Sequence, residues 1–224
     1  MRVFNLLASF FCIGSIHFTH AAPILAPDSA SATNLDRRAP PVAGSSKAYP
    51  IAGTMEVKKE NALPFDGDCY AILYLEKKLI FQHDGTESDQ NRKDAVANVK
   101  IPGTLYVSPE EFSYASTTQG GYQALLFPVT EKSQHSQGGS INSFYRNYQI
   151  QPAHKGQNSW YQITGWTGTL GPYCKALRNN NSKPNKDDAI CKPGSNGKGK
   201  WGFDVGEYAY TYDGHSYRKA KGSK

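Results

Sequence analysis

The densest grouping of side chains able to move protons and hold an anion runs from Gly206 to Arg218. Within it, Glu207, His215 and Arg218 offer a carboxylate, an imidazole and a guanidinium. Such groups supply a general base, a general acid and a clamp for a phosphate oxygen, the set needed to cleave a phosphodiester. Asp213-Gly214 between alternating residues predicts a two-residue hairpin turn, with Tyr212 opposite His215 and Tyr210 opposite Tyr217. Period-two alternation then places Tyr208, Tyr210 and Tyr212 on the face of His215 and Tyr217, and Glu207 on the opposite face. That arrangement favours a packed tyrosine hairpin over a catalytic one. The other histidines beyond residue 38, His83, His135 and His154, are scattered. No Gly-x-Ser-x-Gly elbow, His-Glu-x-x-His pair or phosphate loop accompanies them, so the sequence assigns no metal and no cofactor.

Two further sets of residues suit binding. Lys198, Lys200 and Trp201 belong to a basic C-terminal region, running on through Arg218 and Lys219, in which cations alternate with aromatics. That mixture can follow a polyanion while stacking on its rings. Trp160 and Trp166, in Trp160-Tyr161 and Gly165-Trp166, would stack sugars if exposed, which defines a wall-glycan binder as another alternative.

The elements that must position these groups read as mostly extended. Tyr70–Leu75, Leu79–Gln82, Thr104–Val107, Tyr122–Val129, Trp160–Thr164 and Glu207–Tyr212 are β-branched or aromatic and are bounded by turn formers. Ser108-Pro109-Glu110-Glu111 has the residues of a helix N-cap and first turn, predicting a short helix to about Ala115. Ile141, Phe144, Tyr145 and Tyr148 form one stripe of a helix over Ser140–Tyr148, and Pro172–Arg178 adds a turn or two around Cys174. The expected fold is therefore α+β, a mainly antiparallel sheet with one or two short helices in a single disulfide-stapled domain. Cys174 and Cys191 lie closest in sequence and are the expected bridge, leaving Cys69 as a buried thiol, although Cys69 could pair with either. Residues 179–200 read as a long mobile loop carrying the glycosylation sequon Asn180-Asn181-Ser182, and 219–224 as a frayed tail.

The N-terminal end supplies an address. Arg2, an apolar run from Val3 to Phe18 and the small residues near Ala21 form a signal segment over 1–21. The run is too short for the roughly 20 residues of a membrane span, so no stable membrane insertion is expected. Residues 22–38 are small and polar and end in Arg37-Arg38, a dibasic processing site that would leave a mature domain over 39–224. Of the net charge of +6, +5 belongs to that domain, because residues 1–38 hold only Arg2, Arg37 and Arg38 against Asp28 and Asp36.

This signal segment and dibasic leader, joined to a tyrosine-rich, cysteine-poor and lysine-tailed domain, resemble the small secreted effector proteins of plant-associated fungi. The resemblance implies an extracellular virulence protein that binds a host protein or cell-wall component without catalysis. The alternative is a secreted ribonuclease or toxin working at the C-terminal hairpin, since small secreted fungal ribonucleases use the groups that Glu207, His215 and Arg218 carry. N-terminal sequencing of the secreted product should begin at Ala39. A product beginning at Ala22 would make Arg37-Arg38 an incidental charge pair.

Overall fold

The computed structural model describes residues 41–86, 88–94, 104–122, 124–156, 158–212 and 215–220. The signal segment, the leader with Arg37-Arg38, the Asp213-Gly214 turn and the last four residues lie outside the described residues. In chain order the strands are β1 (Ile51–Val57), β2 (Ile80–Gln82), β3 (Ser108–Phe112), β4 (Leu125–Val129), β5 (Trp160–Gly168), β6 (Tyr210–Tyr212) and β7 (Tyr217–Lys219). The α-helices are α1 (Ala62–Leu73), α2 (Ser88–Asp94), α3 (Glu131–Asn147) and α4 (Pro172–Asn179).

The fold is α+β, with mainly antiparallel sheets. One sheet has the order β1-β5-β2, with β1 parallel to β5 and β2 antiparallel to it. The other has the order β3-β4-β6-β7 and is antiparallel throughout. Between them the core takes Phe65, Tyr70, Phe81, Phe112, Phe127, Tyr161 and Trp166, each at most 1% exposed.

Most of Tyr70–Leu75 is helix rather than strand. A continuous apolar run carries no periodicity, so only its setting decides its conformation. Here α1 is buried at every position, its two aspartates included, so apolar residues are required on all its sides. Pro64 falls in its first turn, where no backbone donor is required. Gly67 lets the helix approach β4, because a Cβ there would lie 2.9 Å from the Phe127 ring.

The reverse change occurs at Ser108-Pro109-Glu110-Glu111, which is strand β3 instead of a helix start. Pairing with β4 buries Ser108, Glu110, Glu111 and Phe112, a gain that outweighs the local capping preference. Pro109 is tolerated because β3 is an edge strand. Helix α3 carries the expected stripe but starts near Thr130, which accepts from the Ser133 amide at 3.1 Å while Ser133 Oγ accepts from the Thr130 amide at 3.1 Å. Gly138 and Gly139 weaken the helix signal midway along it. Thr104–Val107 is not a strand, and Leu105 is 80% exposed.

The bridge is Cys69–Cys174, not Cys174–Cys191. Packing of α1 on α4 brings the two Cα atoms within 4.9 Å across a sequence separation of 105. Cys191 is buried and takes no part in the disulfide. The segment beyond Asn179 is irregular but tied down: the Asn185 amide donates to the Leu73 carbonyl at 2.9 Å, and Ala189–Cys191 forms a 3-10 turn capped by Asp188. Peptide mapping without reductant should link Cys69 to Cys174, and Cys174→Ser should cost about 2–5 kcal/mol of stability. A thiol reagent should label Cys191 only after denaturation. A Cys174–Cys191 peptide would overturn the pairing.

Candidate functional site

A cavity of about 660 Å³ opens between β3, the segment that follows it and α3. Its walls include Arg92, Glu110, Glu111, Ser116, His135 and Asn142. The β3–β4 hairpin supplies the two glutamates and the following helix supplies His135 and Asn142. Three side chains hold these elements in register. Gln134 on α3 accepts from Ser108 Oγ and donates to the Pro109 carbonyl, locking α3 to β3. Asn91 on α2 donates to the Ala115 carbonyl at 2.8 Å and to the Thr117 carbonyl at 3.1 Å. His83 Nδ1 lies 3.0 Å from the Ser116 carbonyl, and its ring stacks on Tyr145 at 4.0 Å.

Beneath the cavity lies Asp68 of α1. Asp68 Oδ2 accepts from the Tyr114 hydroxyl and from Gln137 Nε2, each at 2.9 Å. Burial pushes the Asp68 carboxyl well above the usual carboxylate range, against the downward pull of those two donors. Glu110 is also pushed well up, first by burial and then by the charges of Asp68 and Glu111. Glu111 is raised to about 7 by burial, with Arg92 opposing. The site therefore holds carboxyl groups that keep their protons near neutrality, over which a guanidinium and an exposed imidazole stand. Asp68 Oδ1, Gln137 Oε1 and Glu111 Oε2 are buried with no hydrogen-bond partner among the described residues. Among the described residues, no three or more His, Cys, Asp and Glu side chains are grouped as a metal site.

Residues 73–157 match the family model described as Deoxyribonuclease NucA/NucB. That span is less than half of the chain, yet it contains all the cavity residues named above except Asp68. No curated protein and no solved structure matches the chain. The matched span excludes Glu207, His215 and Arg218, the groups that stood out in the sequence.

Those three are placed differently from expectation. Glu207 lies in a 3-10 turn, Val205–Tyr208, ahead of β6, and lines a separate cavity with Tyr74 and Cys191. In the hairpin, Tyr212 pairs with Tyr217 and Thr211 with Arg218, so the connection is longer than two residues and His215 falls within it. The expected pairing of Tyr212 with His215 is thus corrected, because the paired strands stop before Asp213. Trp166 cannot stack an external sugar: it is 1% exposed, packed into the core from the central strand of its sheet. Trp160 is half-buried at the start of the same strand. Lys198, Lys200 and Trp201 do converge, at a different cavity. Asn180 caps the end of α4: its side-chain nitrogen donates to the Ala176 carbonyl at 2.9 Å and to Asp188 at 2.7 Å, so a glycan there would displace one of these bonds.

The sequence reasoning missed Glu110, Glu111, Arg92 and His135 as a group. The usable signal was two adjacent carboxylates in a segment flanked by apolar strands, which a capping motif disguised.

Alongside these sits Asp66, raised to about 8 by burial although it accepts from the Cys174 amide at 3.0 Å. Asp66, Asp68, Glu110 and Glu111 all bind protons more tightly when folded than when unfolded. Stability is therefore fullest below about pH 4, where both states are protonated, and is lost as pH rises through 7 and 8. Melting temperature should fall between pH 5 and pH 8, by about 2–4 °C for each kcal/mol lost. Asp66→Asn should flatten part of that slope. A flat profile across the same window would show that these carboxyls ionise as freely in the folded protein as in the unfolded chain, and a rising one that folding lowers their proton affinity.

Proposed function

We propose that the protein is a secreted nuclease of deoxyribonuclease type that hydrolyses phosphodiesters in the cavity between β3 and α3. One observation carries the reading: the matched span 73–157 brings Glu110, Glu111, Arg92 and His135 into a single cavity. This favours the nuclease alternative over non-enzymatic binding of a host or wall component, and moves the site from the C-terminal hairpin to the β3–α3 unit. Secretion rests on the signal segment and leader. Among the described residues no helix is long and apolar enough to cross a membrane.

The chemistry assigned to each group follows from its environment. Glu111, titrating near 7, is the general base: it takes a proton from a water whose oxygen forms a new bond to phosphorus. His135 gives a proton to the oxygen that leaves as the P–O bond breaks. Arg92 offsets the charge that builds on the phosphoryl oxygens. Glu110, kept as the neutral acid, can donate a hydrogen bond to one of them.

Cleavage of labelled DNA in Mg²⁺ buffer, run beside RNA, tests this. Glu111→Gln and His135→Ala should each reduce turnover roughly 10²–10⁴-fold with the circular dichroism spectrum retained. The wild-type rate should rise with pH and level off above about 7, since the base must lose its proton first. Wild-type cleavage by Glu111→Gln, or losses confined to Glu207→Gln and His215→Ala, would overturn the assignment.

A further inference from the structure

The first turn of α3 also borders a second cavity, of about 560 Å³, through Thr130 and Ser133. Lys59, Lys175, Lys198 and Lys200 line it, against one carboxylate, Glu60, and all five side chains are exposed. Trp201 forms part of its wall. Most of these residues lie outside the matched span 73–157.

The wall is built rather than incidental. The Trp201 indole lies close against two glycines: a Cβ on Gly199 would come within 2.2 Å of the ring, and one on Gly171 within 2.7 Å. The Tyr106 hydroxyl donates to the Trp201 carbonyl at 3.1 Å, and Tyr106 packs edge-on against Phe203. Lys198 is fixed by a backbone bridge to Asp204, whose carboxylate accepts from the buried Tyr173 hydroxyl at 2.7 Å. The lysines thus stand on a backbone pinned to the core. The indole N–H of Trp201 is buried and has no acceptor among the described residues.

We propose that this cavity is a second subsite for single-stranded DNA, holding a nucleotide distant from the cleaved bond. The choice of DNA rests on the nuclease reading; the positive charge and the aromatic wall are independent of it. Lys175, Lys198 and Lys200 meet the phosphates as compact point charges, and Trp201 offers a ring for a base. A cavity of several hundred Å³ is the right size for one nucleotide unit.

Binding of a fluorescent phosphorothioate oligodeoxynucleotide of about 20 residues, which resists cleavage, decides the matter by anisotropy over a series of salt concentrations. Lys198→Glu/Lys200→Glu should weaken binding about tenfold or more and flatten the salt dependence by roughly 0.7 for each phosphate that is no longer neutralised. Lys77→Glu/Lys78→Glu makes the same change in net charge at exposed positions after α1, away from the cavity, and should change affinity by less than about twofold. Equal losses in the two pairs, or no loss in either, would overturn the subsite. So would heparin binding the wild type as tightly as the oligonucleotide, since that would mean charge is read without bases. Turnover of bis(p-nitrophenyl) phosphate by the wild type separates the two claims. No turnover with a cavity-specific binding loss defeats the hydrolase and keeps the subsite. Turnover with unaffected binding does the reverse.

Discussion

Burying α1 with two aspartates on it is the constraint on which the other elements depend. Asp66 and Asp68 are both fully buried, a cost met only where donors are brought to them. Asp66 receives the Cys174 amide at the start of α4, and Asp68 receives Tyr114 and Gln137 from the β3–β4 connection and α3. Gly67 between them lets Phe127 of β4 come close, and Cys69 bridges to Cys174. Four successive residues thus attach α1 to α4, β4 and α3. Asn61, just ahead of the helix, adds hydrogen bonds to Ser136 and Ser140 of α3.

The same burial sets the electrostatics of the candidate site. Asp68 sits under Glu110, and their proximity adds to the desolvation that keeps Glu110 protonated. Glu111 is less deeply placed and feels Arg92, which leaves it near neutrality. Although both line one cavity, the two glutamates thus acquire different environments and can take different roles. The unpartnered oxygens of Asp68, Gln137 and Glu111 mark a place where the fold accepts unsatisfied polar groups, an expense that stability alone does not explain.

Helix α3 links the two cavities. Its outer turns carry His135 and Asn142 to the site beside β3, while Thr130 and Ser133 at its start border the lysine-lined cavity. Thr130 and Ser133 are fixed by their reciprocal cap, so both walls are defined from the same rigid turn. The proposed chemistry and the proposed subsite thus share one positioning element, while the cations come from other parts of the chain.

The sequence by itself determined the fold class, the α3 stripe, the α4 turn around Cys174 and most strand segments, because each follows from local periodicity or turn chemistry. It also assembled Lys198, Lys200 and Trp201, which are neighbours in the chain. Only tertiary structure decided the rest. Tyr70–Leu73 became helical because it is enclosed on every side, and Ser108–Phe112 became a strand because β4 was there to pair with it. Cys174 joined Cys69 instead of Cys191 because helix packing, not chain separation, sets which sulfurs meet. The candidate site itself was invisible for the same reason. Asp68, Arg92, Glu110, Glu111 and His135 have no common spacing, and their shifted proton affinities arise from burial and neighbours, which exist only once the chain has folded.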